Sequence, residues 1–503
     1  MGLGSVEQSA ACAVEARHSA AAARTKRKSL CIRWTSEANE ICYHRTLAEF
    51  TPPNTNPDSP FARRLGLFSA SVVVVSGIIG GGIFINPYLV AKLLHTPGLI
   101  LAAWLAGGLL ALCGAFVFAE LSTVMPRVGG QYAFFREAFG PLFGFLHGWT
   151  LLLIISSGAV AAIAVALADY VIRLTHWPAA VGLPLAVGLL LALSGYHALG
   201  MRPGAVLLNL VTTSKVLVLV ALIVAGLLAV RSPESAAAAP AGSGLGLASS
   251  FLAALFPIMF AYGGWQNLNF VAEEVVSPLR NLPRAILIGV ALVIAVYLGA
   301  NLAYLRVLSA SGLALTHTPA ADAAGAVWGE RGARVMSVVI LISLFGYLNL
   351  ALMTAPRVFY AMAADGLFFR AVGRVSPRFH APAVAILLQG GLGAALALTA
   401  AYGRLVSFAV FGDWVFLSLA GAALIGFRRT LPDAPRTVPT PLYPLTPVLF
   451  VLSGVAILVN GFITDLPNAL GCSALIALGV PVYFLWARAA RRSAPEATMK
   501  DGS

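Results

Sequence analysis

The sequence predicts an all-α polytopic membrane protein of about twelve transmembrane helices, with a 5+5 inverted-repeat core followed by two C-terminal helices. Three observations lead there. Of 503 residues, 59% are hydrophobic and only 11% charged, whereas ordinary soluble domains are about a quarter charged. The apolar residues run continuously rather than alternating, which excludes strands as the main element, since open sheet edges cannot face lipid. Two of the runs are also interrupted by glycines at corresponding places in two halves of the chain. With a mean hydropathy of +0.86, a soluble enzyme, a disordered chain and a fibrous protein are excluded.

Residues 1–64 are polar and mixed in sign, with a basic cluster at Arg24, Lys26, Arg27 and Lys28. No apolar stretch follows the first charges, so a cleavable secretory signal is not expected. The segment reads as a disordered cytoplasmic tail, or as the product of a misplaced start codon. From residue 65 come twelve apolar stretches: 65–92, 98–124, 141–172, 179–199, 204–230, 250–275, 284–308, 334–362, 382–402, 404–427, 441–463 and 467–487. Each approaches or exceeds the roughly 20 helical residues that cross a hydrocarbon layer of about 30 Å. The domain reading is a first repeat over 65–230, a second over 250–427, two further helices over 441–487, and a cytoplasmic tail over 488–503.

The net charge of +13 comes from 33 basic and 20 acidic residues. Nucleic acid is not the expected partner, because most basic residues sit in the connections. With the N-terminus inside, fifteen basic residues fall on the cytoplasmic side beyond the nine of the tail, and seven fall outside. That bias orients both termini to the cytoplasm in a cell (plasma or cytoplasmic) membrane. The five cysteines have no metal-ligand spacing; three lie in the tail and two inside apolar stretches. No metal site, cofactor or disulfide-linked partner subunit is expected.

The interrupted runs carry the functional signal. In the first, Gly77-Ile78-Ile79-Gly80-Gly81-Gly82-Ile83-Phe84 precedes Asn86-Pro87. Each glycine weakens a helix by about 1 kcal/mol relative to alanine and bares its backbone polar groups. In the sixth, Phe260-Ala261-Tyr262-Gly263-Gly264-Trp265 follows Pro257. Paired breaks of this kind point to a transporter site at the membrane midplane. Free amides at a helix N-terminus suit a carboxylate, and free carbonyls suit an ammonium group. A zwitterionic amino acid presents both. The bland alternative is that Gly77 and Gly81 form a GxxxG pair serving only close helix packing.

Other stretches extend the pattern: Ala119-Glu120-Leu121, Met125-Pro126-Arg127, Gly129-Gly130-Gln131-Tyr132, then Glu273-Glu274, Arg280-Asn281-Leu282-Pro283-Arg284, Phe345-Gly346, Leu348-Asn349 and Ala364-Asp365-Gly366. Together with the two breaks, these resemble the amino acid–polyamine–organocation superfamily of permeases, most of all its L-type amino acid transporter and bacterial exchanger branch. The resemblance spans about residues 65–487. It departs at Gly81, where a small polar residue is usual, at Gln266 and Asn267, where Asn and an aromatic are usual, and at Thr437, where a proline is usual.

The resemblance implies a LeuT-like fold and a set of residue roles. The amides of Gly80, Gly81 and Gly82 would take the substrate carboxylate. Carbonyls of Gly77, Ile78, Phe260, Ala261 and Gly263 would take the α-amino group, and Phe260 would gate the site from outside. Lys215, in the middle of the fifth run, would occupy the place where sodium-coupled relatives hold a cation, bonded to first-helix carbonyls and to Ser343. A charge at that depth is costly and needs an account. It is either a proton carrier or a permanently charged structural pin.

Glu120, Arg136 and Arg357 lie near helix ends, where snorkelling and inner-gate ion pairs are both open. Asp413 lies nearer mid-span, to pair with a polar group or line the outer vestibule. No cluster of nucleophile and base, or of paired carboxylates, suggests catalysis, so no catalytic residue is assigned. The expected function is a secondary active amino acid transporter working by alternating access, coupled to protons or by exchange. A transporter-like sensor and a polytopic membrane enzyme are the alternatives.

Overall fold

The computed structural model describes residues 61–229, 245–399 and 402–492. Of the expected tails, 1–64 and 488–503, residues 1–60 and 493–503 lie outside these residues, while 488–492 continue the last helix. Every named element is a helix, and the one β feature among the described residues is an isolated parallel bridge between Leu65 and Val275.

Eleven helical units among the described residues are long and apolar enough to cross a membrane. The remaining expected segment, 382–402, contributes a shorter apolar helix, Ala383–Thr399. In chain order the helices are α1 (Leu67–Ile78), α2 (Gly82–Leu94), α3 (Pro97–Val124), α4 (Gln131–Phe139), α5 (Pro141–Thr150), α6 (Ser156–Thr175), α7 (Gly182–His197), α8 (Met201–Leu228) and α9 (Leu245–Tyr262). They continue as α10 (Asn267–Phe270), α11 (Pro278–Leu315), α12 (Pro319–Thr354), α13 (Pro356–Ala364), α14 (Ala383–Thr399), α15 (Tyr402–Thr430), α16 (Leu445–Thr464) and α17 (Leu466–Arg492). A π-helical turn, Leu151–Ile155, joins α5 to α6 within one span.

Two helices run further than the apolar runs suggest. The helix expected over 284–308 extends from Pro278 to Leu315 with a kink at Ser309 (φ 62°). The one expected over 334–362 begins at Pro319, kinks at Gly329 (φ 70°) and passes into α13 at Pro356. At Ser309 and Gly329 the backbone leaves helical geometry, so the added lengths beyond those residues are separate helical segments and not continuations of the span.

The helices sort their side chains by environment. On α8, Val206, Leu210, Leu217, Val224 and Leu228 are exposed and recur at spacings of four and seven, a lipid-facing stripe, while Lys215 on the opposite face is fully buried. Helix α11 packs against α1 and α3, α9 packs on α2, and α12 packs on α8 and α6. Exposed leucines are the expected outcome where the solvent is hydrocarbon.

Both glycine-marked runs are broken. α1 stops at Ile78 and α2 starts at Gly82, leaving Ile79, Gly80 and Gly81 outside regular helix. α9 stops at Tyr262, and Gly264 takes φ +117°, a conformation that excludes a side chain without strain. The two breaks touch. A Cβ on Gly77 would fall 2.5 Å from the Gly264 carbonyl oxygen, and a Cβ on Gly264 would collide with the Gly77 carbonyl. Asn86 Nδ2 donates to the Pro257 carbonyl at 2.6 Å, tying α2 to α9 just beyond the contact.

Candidate functional site

The two breaks face one cavity of about 1030 Å³, counted to its open mouth. Its wall includes every backbone residue expected to meet substrate: Gly77, Ile78, Gly80, Gly81 and Gly82 from the first break, and Phe260, Ala261 and Gly263 from the second. The opposite wall comes from α6 and α15 and is mostly apolar, apart from Ser156 and Asp413.

The backbone groups are not equally open. The Gly80 amide turns back onto the Ile78 carbonyl at 2.8 Å. Of the expected amide trio, only Gly81 and Gly82 remain without a hydrogen bond among the described residues. The next amide, Ile83, is also unbonded there, at the first turn of α2 where the helix dipole favours an anion. The open amides are thus displaced by one residue from the sequence expectation, because a tight turn at the end of α1 consumes the first.

The carbonyls divide similarly. The Phe260 carbonyl accepts from the Gly263 amide at 3.3 Å. The carbonyls of Ile78 and Ala261 both lie within hydrogen-bond distance of the Tyr297 hydroxyl, at 2.9 and 3.0 Å. Tyr297, on α11, is fully buried and packs on Tyr262 and Trp104, with ring centroids 5.0 and 5.6 Å away. It bridges the two breaks, a role that sequence reasoning misses. A lone tyrosine in an apolar run has no motif; the usable signal would have been its hydroxyl at mid-depth, where every donor needs a partner.

Behind the first break, Lys215 and Ser343 meet on the same backbone atom. Lys215 Nζ donates to the Ile79 carbonyl, and the Ser343 hydroxyl lies 3.2 Å from that oxygen and 2.9 Å from the Gly80 carbonyl. Both side chains are fully buried, and neither lines the cavity. They hold the unwound turn from the side away from it.

Asp413 and Gln266 form a polar corner of the cavity. Gln266 Nε2 donates to Asp413 Oδ2 at 2.9 Å, and Gln266 Oε1 accepts the Gly264 amide at 3.0 Å. Asn267 Nδ2 donates to the Gly264 carbonyl at 2.9 Å. Gln266 and Asn267, two of the departures from the family pattern, therefore stabilise the second break, and Gln266 orients a carboxylate.

The charged residues at helix ends are paired, which favours ion pairs over snorkelling among the two readings left open for them. Glu120 is completely buried; Arg428 grips it with two bonds of 2.8 and 2.7 Å, Arg436 adds one of 3.1 Å, and the Thr440 amide one of 2.7 Å. Arg357 pairs with Glu274 at 2.9 Å with both side chains almost wholly buried. Arg136 pairs with Asp365, which also accepts from the Tyr132 hydroxyl at 2.8 Å. Desolvation, helped by that carboxylate, pushes the Tyr132 phenol well above its usual range and keeps it a donor.

A family model for amino acid permeases matches residues 65–483. The serine/threonine exchanger SteT of Bacillus subtilis (strain 168) is 31% identical over 431 residues, 85% of this chain and 97% of that protein. The b(0,+)-type amino acid transporter 1 of Mus musculus is 29% identical over 435 residues, 84% of this chain and 88% of that protein. The large neutral amino acids transporter small subunit 2 of Homo sapiens is 32% identical over 440 residues, 84% of this chain and 80% of that protein. These relatives are transporters and not enzymes. With its membrane-length helices broken around one central cavity, the chain belongs to the amino acid permease family and is an integral, multi-pass secondary amino acid transporter.

Proposed function

We propose that this permease holds the main chain of an α-amino acid between its two helix breaks and passes it across the cell membrane by alternating access. The observation that carries the reading is the pair of breaks on one cavity, with unbonded amides at the start of α2 and glycine carbonyls opposite. The carboxylate goes to Gly81 and Gly82, joined by Ile83; Gly80 joins them only if its turn onto Ile78 opens. The ammonium goes to the carbonyls around Gly77, Ile78, Phe260, Ala261 and Gly263. Phe260, half-buried on the cavity wall, is the gate.

Residues 65–230 and 250–427 act as the two repeats that rock against each other, which the matched positions of the breaks support. Lys215 and Ser343 are the coupling pair, whose occupation of the Ile79 carbonyl argues against a sodium ion there. Transport runs with protons or by exchange. The excess of basic residues on one side supports cytoplasmic termini. Cys113 and Cys472, the free cysteines among the described residues, lie within α3 and α17, which fits a protein without a disulfide-linked partner.

Counterflow on protein reconstituted in liposomes tests the site. Free α-amino acids should exchange, while their methyl esters and N-acetyl derivatives should fail to compete, because each lacks one of the two charges the breaks are built to meet. Competition by the blocked derivatives as strong as by the free amino acid would remove this site.

A further inference from the structure

The main chain of an amino acid is electrically neutral as a whole, and the two breaks meet it with uncharged backbone. What then remains in the cavity is the carboxylate of Asp413. Among the described lining residues there is no lysine, arginine or histidine. The cavity lining from two elements is mostly apolar: Val406, Ala409, Val410 and Leu417 from the helix of Asp413, and Leu151, Ile155 and Ile163 from the third span, with Ser156 its polar member. Tyr347 of α12 lines the same cavity. An ionised carboxylate in such surroundings is unfavourable unless it is paired and hydrogen-bonded.

The hydrogen bond is present and the pair is not. Gln266 holds Oδ2 at 2.9 Å, and is itself fixed by the Gly264 amide. Oδ1 carries no hydrogen bond among the described residues. Gln266 is nearly buried at 6% exposure, so the carboxylate is aimed by a rigid group attached to the second break. This is the arrangement of a counter-ion awaiting a cation from outside the protein, placed in the same cavity as the main-chain groups.

We infer that the Asp413–Gln266 corner is the side-chain subsite, and that it selects α-amino acids with a cationic side chain, such as lysine, ornithine or arginine. The inference rests on the cavity being the amino acid site. Gln266 positions the carboxylate, and Asp413 contacts the substrate's distal ammonium or guanidinium through Oδ1. A neutral amino acid of the same length leaves the carboxylate without its cation, and a polar site rejects an isostere lacking its partner group far more strongly than an apolar pocket rejects a changed methylene.

Counterflow with reconstituted wild-type protein, comparing lysine with norleucine and arginine with citrulline, is the test. Lysine and arginine should exchange at least 10-fold faster than their uncharged counterparts at subsaturating concentration. Asp413→Asn should remove most of that preference, and an unchanged size-exclusion profile and thermal midpoint in detergent show that the variant folds. Asp413→Glu should keep the preference, and Gln266→Leu should reduce it. The inference is overturned if wild type exchanges norleucine as fast as lysine, or if Asp413→Asn leaves the ratio unchanged. It is also overturned if Asp413 proves to be a proton site: neutral amino acids preferred, with a pH dependence that Asp413→Asn abolishes. If wild type exchanges no amino acid of any class, the amino acid site itself fails and not merely its selectivity.

Discussion

Gly77, Gly81 and Gly82 lie within six residues yet face different physical constraints. Gly77 lets two backbones touch at Gly264, so it serves packing. At Gly82 a methyl group would come within 2.8 Å of Ala261 Cα, where α2 leans on α9. At Gly81 it would meet only Leu344 Cδ2, at 3.4 Å, the flexible end of a side chain. Gly82→Ala should therefore lower amino acid uptake in liposomes at least 10-fold, while Gly81→Ala, which keeps its amide, should stay within about threefold of wild type. Equal uptake by the two variants would mean that contact with Ala261 is unimportant. The packing reading and the site reading of the GxxxG pair are thus not rivals: Gly77 packs on Gly264, and Gly81 has only an ordinary side-chain contact, which leaves it free for the proposed site.

At the scale of elements, the broken first span is held from three sides. Tyr297 of α11 reaches its Ile78 carbonyl, Lys215 of α8 its Ile79 carbonyl, and Ser343 of α12 the Ile79 and Gly80 carbonyls. Backbone groups freed in a membrane must find partners within the protein, and three separate helices supply them. If Lys215 carries a proton during transport, wild-type uptake depends on pH and Lys215→Ala transports with a flat profile. A variant that retains transport with the wild-type pH profile would leave Lys215 a structural pin. Both breaks were legible because consecutive glycines weaken a helix locally, whatever packs around it. Their partners were legible only in part: Lys215 stood out through its charge, whereas Tyr297 did not, since an aromatic residue in a membrane span is ordinary.

Across the whole molecule, buried ion pairs join elements distant in sequence. Glu120 on α3 is held by Arg428 at the end of α15 and by Arg436 beyond it, and Glu274 after the second break is held by Arg357 on α13. Removing one partner of a fully buried pair leaves a stranded charge, at a cost of about 3–5 kcal/mol. The exposed Glu330–Arg334 pair is of the kind worth about 0.3–0.5 kcal/mol. Glu274→Gln should accordingly lower the thermal midpoint in detergent by several degrees, and Arg334→Ala should barely move it. Comparable shifts in the two variants would contradict the burial argument. The same pairs decide between the two readings left open at these helix ends: the sequence places a charge near a membrane surface, but only the folded chain brings its counter-ion from more than 80 or 300 residues away.

Composition and patterning were enough to establish the fold class, the membrane setting and the two breaks. Each of these follows from local content: long apolar runs must be helical in lipid, and glycine clusters must weaken them. Packing decided which amides stay open, since the turn that consumes the Gly80 amide depends on how α1 ends. It also decided that Tyr297 bridges the breaks, that Glu120 and Arg357 are paired rather than snorkelling, and that Asp413 faces the cavity beside Gln266. Those outcomes depend on which face of one helix meets which face of another, and hydropathy carries no information about partners so far apart along the chain.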